Sequence, residues 1–378
     1  MAVNDLHKHI VHQGQIGVKL QKRAVSSIVE AMKAQLIYNP VAGPRAMDAE
    51  VSEVMAFLRS HGWEVTLRRT LGPGDATTYA REAVANHCDV AVAIGGDGTL
   101  GEVATGLAHS NCAMGVLPAG TGNVWAHMFR LPIWTPRSRS ALLDAARILL
   151  EGQVREVDLG KAGERYFLLW TGIGFDAQVA REIEPYREVR RNLGNLTYYV
   201  TALAMSVGLR GTRMTVVIDG RAIRQRVLLI LVTNVQLYAS SWRLAPQAQL
   251  DDGLLEVYIF KGDNMLDGIR HAIHLGAGQH LRDPKVEAFR GKRVEVRGEK
   301  PLPLHMDGDP VGHTPVTITV APKALRVIVP SWSSGSLFEG DHEATEELPL
   351  ARRIAQRLRY ERERAQEFGE GQQVRSER

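Results

Sequence analysis

One short stretch, residues 90–102, constrains the fold of this chain more than any other. It begins with the unbroken apolar run of residues 90–94, which predicts a strand buried on both faces. A turn follows that contains three glycines: Gly95, Gly96 and Gly98. Apolar residues then recur at spacings of three and four and predict a helix: Leu100, Val103 and Leu107. Because backbone amides at such a turn and the positive helix N-terminus favour an anion, the stretch predicts a phosphate-binding loop.

An aspartate, Asp97, lies inside this glycine loop, and Thr99 and Glu102 follow it. A carboxylate would repel a phosphate directly, so the pattern predicts a Mg²⁺ ion or a network of metal and water between them. The alternative interpretation is a tight turn that requires glycine for its backbone and binds nothing.

A second loop of the same kind follows the next predicted strand. Residues 113–117 form an apolar run, residues 118–123 form a turn, and a helix is predicted over residues 124–129. Two glycine turns on neighbouring strands, about 25 residues apart, suit the crevice at the carboxyl ends of an α/β sheet.

These two loops carry a resemblance to a known family. Gly-Gly-Asp-Gly-Thr at residues 95–99, followed by Leu-Pro-Ala-Gly-Thr-Gly-Asn at residues 117–123, resembles the diacylglycerol kinase catalytic domain family, which includes sphingosine kinases and bacterial lipid kinases. The first motif alone is shared with NAD kinases and phosphofructokinases, whereas the pair in this order is specific. The resemblance spans roughly residues 35–330. It implies ATP and Mg²⁺ as cofactors.

The order of predicted elements divides the chain into four parts. Residues 1–33 are an N-terminal extension, and residues 34–151 alternate strand and helix, which predicts a doubly wound α/β nucleotide-binding domain. Residues 152–332 hold short strands with turns between them, which predicts a mainly antiparallel β-sandwich that takes the lipid acceptor. Residues 333–378 are a charged tail that includes a basic amphipathic helix; a solvated helix or a disordered tail is the alternative.

Three finer features of these parts are also predicted from the pattern. Asp75 is the expected N-cap of a helix over residues 76–86. Residues 195–209 form an apolar helix, either in the core or along an acceptor pocket. Residues 266–275 form a second, shorter helix.

Composition bounds the class of protein. The chain has 378 residues, 44% hydrophobic and 23% charged, with a net charge of +4, which is ordinary for a globular protein. No run approaches the ~20 apolar residues of a membrane span, and no signal peptide is expected. The spacing of the two cysteines, Cys88 and Cys112, predicts buried thiols in a reducing compartment. We expect a cytoplasmic protein with peripheral contact at the inner membrane face and no nucleic-acid partner. The oligomeric state, a homodimer included, stays open.

The resemblance extends nucleotide contact to further residues. It implies contact through Asn39, Pro40 and Gly43 after the first strand and through Thr70 after the second. Together with the two glycine loops, the implied nucleotide site consists of Asn39, Pro40, Gly43, Thr70, Gly95, Gly96, Asp97, Gly98, Thr99, Glu102, Gly120, Thr121 and Asn123. An ordinary strand-to-helix turn is the alternative at Asn39, and a solvated strand end is the alternative at Thr70.

The resemblance also implies the catalytic and metal residues. Asp309 matches the family glutamate taken as the general base that removes the acceptor hydroxyl proton. Asp158 matches an aspartate that joins Asp97 in the metal and water network. Asp252, with main-chain oxygens of Gln249 and Leu254, would hold a structural Mg²⁺. As bare patterns, Asp158 is a strand-end residue and the Asp252 segment is a good turn.

Three residues depart from the family pattern. Asp309 is one methylene shorter than the family glutamate, and a misplacement of about 1 Å can cost ~10²-fold in rate. Val124 stands where many diacylglycerol kinases carry an aspartate, which leaves sphingoid and monoacylglycerol acceptors open. Gly101 replaces an asparagine before Glu102.

The sequence therefore predicts an ATP- and Mg²⁺-dependent lipid kinase that phosphorylates the hydroxyl of a lipid alcohol, diacylglycerol or sphingoid-like. Two alternatives remain at this point. One is a kinase for a soluble substrate, as in NAD kinases, and the other is a non-catalytic nucleotide- or lipid-binding regulator.

Overall fold

The computed structural model describes residues 32–43, 45–135, 138–175, 177–178, 210–239, 242–333 and 335–339. Residues 1–31, the predicted helix over residues 195–209 and the predicted C-terminal amphipathic helix lie outside the described residues. The chain divides into two compact units, Met1–Ser333 and Ser334–Arg378. The boundary placed after residue 151 falls inside the first unit and stays a prediction.

The α/β domain is built on four parallel strands: β1 (Lys33–Tyr38), β2 (Glu64–Arg69), β3 (Val90–Gly95) and β4 (Ala113–Pro118). They lie in the order β2-β1-β3-β4. The helices are α1 (Asp48–Ser60), α2 (Asp75–Ala85), α3 (Asp97–Leu107), α4 (Val124–Phe129) and α5 (Ala141–Glu151). Because the strand order changes direction between β1 and β3, the loops that follow these strands leave a crevice at the carboxyl edge of the sheet.

Strands β3 and β4 are buried at every residue, as the continuous apolar runs predict for a sheet covered on both faces. Helices α1 and α5 pack against each other and against one apolar face of the sheet. Helices α2 and α3 form the second pair, where Gly106 of α3 lies directly against Ala80 of α2. The two cysteines are buried, as predicted, and burial raises the pKa of Cys112 to about 12.

The antiparallel domain contains thirteen described strands and one described α-helix. The strands are β5 (Gln153–Ala162), β6 (Arg165–Phe167), β7 (Trp170–Gly174), β8 (Thr212–Ile218), β9 (Arg221–Thr233), β10 (Leu237–Tyr238), β11 (Trp242–Arg243), β12 (Leu255–Lys261), β13 (Val286–Gly291), β14 (Arg293–Gly298), β15 (Pro303–Met306), β16 (Asp309–His313) and β17 (Val316–Val329). Helix α6 spans Met265–Gly276 and is followed by a 3-10 turn, His280–Arg282. Inward side chains of these strands form a second apolar core.

The two domains share one sheet. β17 pairs antiparallel with β14 and β5, and its far end pairs parallel with β4 through Val327 and Met114. The predicted fold class, an α/β domain followed by a mainly antiparallel β domain, is confirmed.

Some element bounds differ from the prediction. Residues 316–329 form one long strand rather than short strands with a turn between them, because the chain between Ala321 and Leu325 is a local irregularity and not a turn. Residues 165–174, by contrast, are divided into β6 and β7. Asp75 is not an N-cap: Gly74 holds that position at φ +88°, and the Asp75 carboxylate accepts the amides of Leu71 and Gly72.

No helix among the residues that the structure describes has the length and apolar character needed to cross a bilayer.

Candidate active site

A cleft of about 1460 Å³ opens at the carboxyl edge of the parallel sheet, between the α/β domain and the hairpin β15–β16. Nine of the predicted site residues line it: Asn39, Thr70, Gly96, Asp97, Gly98, Thr99, Glu102, Thr121 and Asp309. Seven others do not line it: Pro40, Gly43, Gly95, Gly120, Asn123, Asp158 and Asp252. Gln249 and Leu254 also lie outside its lining. The cleft thus joins residues from both domains that the sequence places more than 200 positions apart.

The glycines outside the lining hold the loops against one another. A Cβ on Gly120 would lie 2.4 Å from the Gly96 Cα, and a Cβ on Gly43 would lie 2.1 Å from the Ala119 carbonyl oxygen. Both distances are far below a van der Waals contact, so only glycine permits this approach. Asn123, at φ +49°, closes the second loop: its Oδ1 accepts the Gly120 amide at 3.0 Å and its Nδ2 donates to the Gly120 carbonyl at 2.7 Å.

Side chains at the loop ends lock the three loops into one surface. Asn39 Nδ2 donates to Thr99 Oγ1 at 3.0 Å, which joins the loop after β1 to the loop after β3. Asp97, the first residue of α3, accepts the Val124 amide at 2.9 Å, which joins the first glycine loop to the second. Thr70 is buried at the end of β2 and its amide donates to the Tyr38 carbonyl. The rigid result is a set of backbone amides and the N-terminus of α3 at one end of the cleft.

Glu102 has a structural task as well as a place in the cleft. Its Oε1 accepts the Gly74 amide at 2.9 Å and its Oε2 accepts the Ala76 amide at 3.1 Å. These amides are among the N-terminal groups of α2 that the helix itself leaves unsatisfied. Glu102 on α3 therefore caps α2 from outside, and a carboxylate there is favoured by the helix dipole.

Asp309 faces the first glycine loop from the other domain. Its Oδ1 lies 3.1 Å from the position that a Cβ on Gly98 would occupy. Its Oδ2 accepts from Arg165 Nη2 at 2.7 Å, and both side chains are about one-third exposed, at 28% and 31%. The sequence offered Asp309 but gave no indication of Arg165, which is one of many surface arginines until the hairpin β5–β6 folds.

Asp307, two residues before Asp309, is a functional candidate that the sequence reasoning missed. It is buried and takes φ +48°, and its carboxylate accepts the amides of Leu168, Leu169 and Trp170 at 2.8–3.1 Å. Burial raises the pKa of Asp307 to about 7, against the effect of these three hydrogen bonds. The pattern Asp-Gly-Asp at residues 307–309 indicates a turn, but the amides that Asp307 accepts are 137–139 residues away in sequence, which no local pattern indicates.

Asp307 also explains one departure from the family pattern. A Cβ on Gly101 of α3 would lie 2.4 Å from Asp307 Oδ2, so the helix packs directly on this carboxylate. An asparagine at position 101 has no room in this arrangement. Gly101 therefore sets the distance between helix α3 and the turn that carries Asp309.

Asp158 lies away from the cleft lining, in contrast to its predicted place beside Asp97. It is completely buried, and its two oxygens accept the amides of Gly253 at 2.6 Å and Lys323 at 2.7 Å. Burial raises its pKa, and the nearby carboxylates of Asp252 and Asp251 add to this. In this structure Asp158 secures the loop that precedes β12.

The predicted structural Mg²⁺ does not fit the residues around Asp252. One oxygen of Asp252 accepts the Leu254 amide at 3.0 Å, and the other is paired with the Arg290 guanidinium. Arg290 Nε also lies 2.7 Å from Glu256 Oε1. Among the described residues, no group of three or more His, Cys, Asp or Glu side chains is placed to hold a metal ion. The Arg290 guanidinium thus stands where the prediction placed a metal cation.

Comparison with known proteins agrees with this architecture. The family model described as diacylglycerol kinase catalytic domain matches residues 33–162, and the model described as YegS C-terminal NAD kinase beta sandwich-like domain matches residues 171–329. A diacylglycerol kinase of Bacillus subtilis (strain 168) is 30% identical over 300 residues, which cover 79% of this chain and 96% of the relative. A diacylglycerol kinase of Staphylococcus aureus (strain Newman) is 28% identical over 314 residues, covering 82% and 96%.

A solved structure shares the fold. The crystal structure of a diacylglycerol kinase from Bacillus anthracis str. Sterne superimposes with a TM-score of 0.65 at 23% sequence identity, covering 80% of this chain and 99% of that chain. Fold, cleft and relatives together define the class of protein: it is a lipid kinase. The chain belongs to the diacylglycerol kinase family.

Proposed function

We propose that this lipid kinase transfers the γ-phosphoryl group of ATP, with Mg²⁺, to the hydroxyl of a lipid alcohol, diacylglycerol or sphingoid-like. The observation that carries the proposal is the placement of Asp309 opposite Gly98, across one cleft, from the two interlocked glycine loops. Phosphoryl transfer asks for positioning and charge stabilisation more than for covalent chemistry, and this cleft supplies both.

The nucleotide phosphates would lie on the surface formed by Asn39, Thr99, the two glycine loops and Thr121. The N-terminus of α3, from Gly96 to Thr99, lines this end of the cleft, and Thr99 and Thr121 offer hydroxyls. The role of Gly43, Gly95, Gly120 and Asn123 is to bring these loops together, and Pro40 and Thr70 complete the strand ends on either side.

Asp97 is the residue that would hold Mg²⁺ with the nucleotide. It is a hard oxygen donor that lines the cleft at the start of α3, next to the proposed phosphate site. When bound, the ion would neutralise charge on the phosphates and orient the transferred group. Glu102 lines the same wall, but both its oxygens accept amides of α2, so its contribution is to fix α3.

Asp309 is proposed as the general base. It is the acidic side chain that the antiparallel domain presents toward Gly98, and Arg165 holds one of its oxygens. The other oxygen is directed toward the glycine loop, where a hydroxyl attacking the terminal phosphate would lie. Because Asp309 belongs to β16 and the phosphate loops belong to the α/β domain, the reaction is assembled across the two domains.

Apolar side chains of the antiparallel domain support a lipid acceptor. The cleft wall next to Asp309 is lined by Trp170, Leu304, Met306, Pro310 and Val311. An apolar wall beside a carboxylate suits an acyl chain with a hydroxyl at its end better than a polar metabolite. Val124 is buried at the other side, where its amide bonds Asp97, so an aspartate is not required there to hold the loop.

The test is an acceptor screen with labelled ATP and Mg²⁺. Diacylglycerol, monoacylglycerol and sphingosine are offered in mixed micelles, and the product is identified by mass. We expect one lipid class to be phosphorylated. Absence of labelled lipid from the whole panel would contradict the proposal. NAD⁺ is included because the second matching family model is named after the NAD kinase sandwich; formation of NADP⁺ without phospholipid would favour the soluble-substrate alternative.

A further inference from the structure

Helix α6 buries two polar side chains beside Leu275 and exposes large apolar ones, unlike a normal surface helix. Leu266 and Ile273 are 71% and 64% exposed, whereas Asp267 and His271 are 8% and 6% exposed. Leu266 and Ile273 are seven residues apart and so lie on one face, with Ile269 between them. A surface helix normally turns its apolar stripe toward the core. The exposed apolar face of α6 therefore indicates a surface that binds another molecule.

The orientation of α6 is fixed by hydrogen bonds of its inward face. Asp267 accepts from Lys285 Nζ at 2.5 Å and from the Asp263 amide at 2.9 Å. His271 Nε2 lies 2.7 Å from the Lys261 carbonyl oxygen. Rotating the helix to bury Leu266 would break these contacts and leave a buried carboxylate without its ion partner. The apolar face consequently stays outside.

The ion pairs around α6 are arranged in a similar way, with the acidic group buried and the basic group exposed. Asp283 is completely buried and pairs with Arg270, whose side chain is 44% exposed. Asp267 is 11% exposed in its side chain and pairs with Lys285, which is 45% exposed. Asp263 is an exposed acid near this face, paired with Arg226 at 3.4 Å. In both buried pairs the carboxylate is inside and the cation is the exposed partner, so the apolar face is rimmed by basic side chains, which suits a negatively charged surface.

A row of aromatic rings connects this helix to the cleft. His305, in the hairpin that carries Asp309, lies 6.5 Å from Trp170 between ring centroids. Trp170 lies 5.4 Å from Tyr238, which lies 6.4 Å from Trp242. A Cβ on Gly276 of α6 would lie 3.9 Å from the Trp242 indole. Because Trp170 and Tyr238 line the cleft themselves, the single ring of Trp242 lies between the cleft wall and α6.

We propose that the outward face of α6, formed by Leu266, Ile269 and Ile273 and rimmed by Arg270 and Lys285, rests on an anionic lipid bilayer. This inference builds on the proposed function, because a lipid acceptor must be taken from a bilayer. Apolar side chains enter the boundary between headgroups and acyl chains while the basic rim contacts anionic headgroups. The aromatic row then lies between the bilayer and Asp309.

Vesicle co-sedimentation of the full chain tests the surface without any catalytic readout. The vesicles contain equal parts of phosphatidylglycerol and phosphatidylcholine, with pure phosphatidylcholine as a second probe. We expect the wild type to bind the anionic vesicles, and Leu266→Gln with Ile273→Gln to lower the vesicle partition coefficient by about tenfold or more. Both positions are exposed, so the variant should fold, and its thermal unfolding midpoint is measured alongside.

A matched variant controls for the loss of any exposed apolar pair. Val154→Gln with Trp332→Gln removes two side chains that are 46% and 49% exposed elsewhere, and it should bind vesicles as the wild type does. The inference is overturned if the wild type does not bind anionic vesicles, or if the α6 variant binds them equally well. It is also overturned if the α6 variant only dissociates a wild-type dimer in analytical ultracentrifugation. The two proposals fail separately, since vesicle binding requires no ATP and the acceptor screen requires no bilayer. Vesicle binding with an empty acceptor screen contradicts the proposed function alone, and lipid phosphorylation in micelles without vesicle binding contradicts this inference alone.

Discussion

The Arg165 guanidinium lies 2.7 Å from Asp309 Oδ2, where hairpin β5–β6 meets hairpin β15–β16 at the cleft. The pair joins two segments that are 144 residues apart in sequence. Asp309 begins its strand immediately after Gly308, which takes φ +90°. Arg165 therefore fixes a carboxylate that faces the glycine loop from the antiparallel domain.

Asp309→Asn should lower kcat by about 10²- to 10⁴-fold, because an amide cannot take the hydroxyl proton. The KM for ATP should change little, since Asp309 is opposite the phosphate loops rather than part of them. Steady-state kinetics with the accepted lipid measures both constants. Asp48→Asn, which breaks an exposed pair with Arg69 outside the cleft, is the control and should keep wild-type rates. Wild-type kcat in the Asp309 variant would remove this residue from the mechanism.

Arg165→Met should lower kcat by about 10- to 100-fold at unchanged KM for ATP. The Asp309 carboxylate can still accept a proton in this variant, but it is no longer held in place. Arg165→Lys should recover part of the rate. Arg213→Met, which removes an exposed arginine 3.9 Å from Glu299, serves as the matched control. A rise in the KM for ATP with kcat unchanged would instead indicate that Arg165 contacts the nucleotide.

Asp307 should make the free energy of unfolding depend on pH. Its pKa is raised to about 7 in the folded protein, so between about pH 4 and pH 7 the folded state binds more protons at this group than the unfolded state. The contribution of Asp307 to stability therefore falls as the pH rises through this window and is level above it. Urea unfolding at a series of pH values measures the effect.

Asp307→Asn isolates this contribution. The amide nitrogen would face one of the three backbone amides, so stability at pH 5 should fall by about 1–3 kcal/mol. The difference between wild type and variant should then shrink toward pH 8. A difference that is constant with pH would show that Asp307 does not titrate in this window.

Because Arg290 already pairs with Asp252, the stability that this loop gives the protein should not depend on Mg²⁺. Arg290→Met leaves the carboxylates of Asp252 and Glu256, 6% and 9% exposed, without their cation. We expect a loss of about 1–4 kcal/mol, between the values for exposed and buried pairs, because Arg290 itself is 42% exposed. Arg290→Lys should retain most of the stability.

Thermal unfolding completes this test. It is measured without nucleotide, once with Mg²⁺ and once with a chelator. The wild-type midpoint should be the same in both conditions. A midpoint that rises with Mg²⁺ in the wild type but not in Asp252→Asn would restore the predicted metal site and contradict the guanidinium's role.

The fold of the two glycine loops was predictable because its signals are local. Strand, glycine turn and helix start lie within a dozen residues around Gly95, and the spacing of residues in the loop itself dictates which backbone can form. The same is true of the domain order, since alternation of strand and helix changes visibly after residue 151.

The parts that were not predictable depend on pairings between distant segments. Asp75 carries the right side chain for an N-cap, yet Glu102 from another helix satisfies the amides of Gly74 and Ala76 and leaves Gly74 free to take the cap position. Arg290 reaches Asp252 only because β13 pairs with β12 in one particular register. Neither contact can be predicted from local helix or strand propensity.

The last strand of the antiparallel domain, β17, affects how the chain folds while it is being synthesised. Val327 supplies the outer neighbour of Met114 in β4, so the edge of the parallel sheet is completed only after roughly 200 further residues have been synthesised. Until then β4 is an edge strand with unpaired backbone N–H and C=O groups, and such edges pair readily with other strands. Once β17 has been synthesised, it pairs with β4 and this edge is no longer open to other strands.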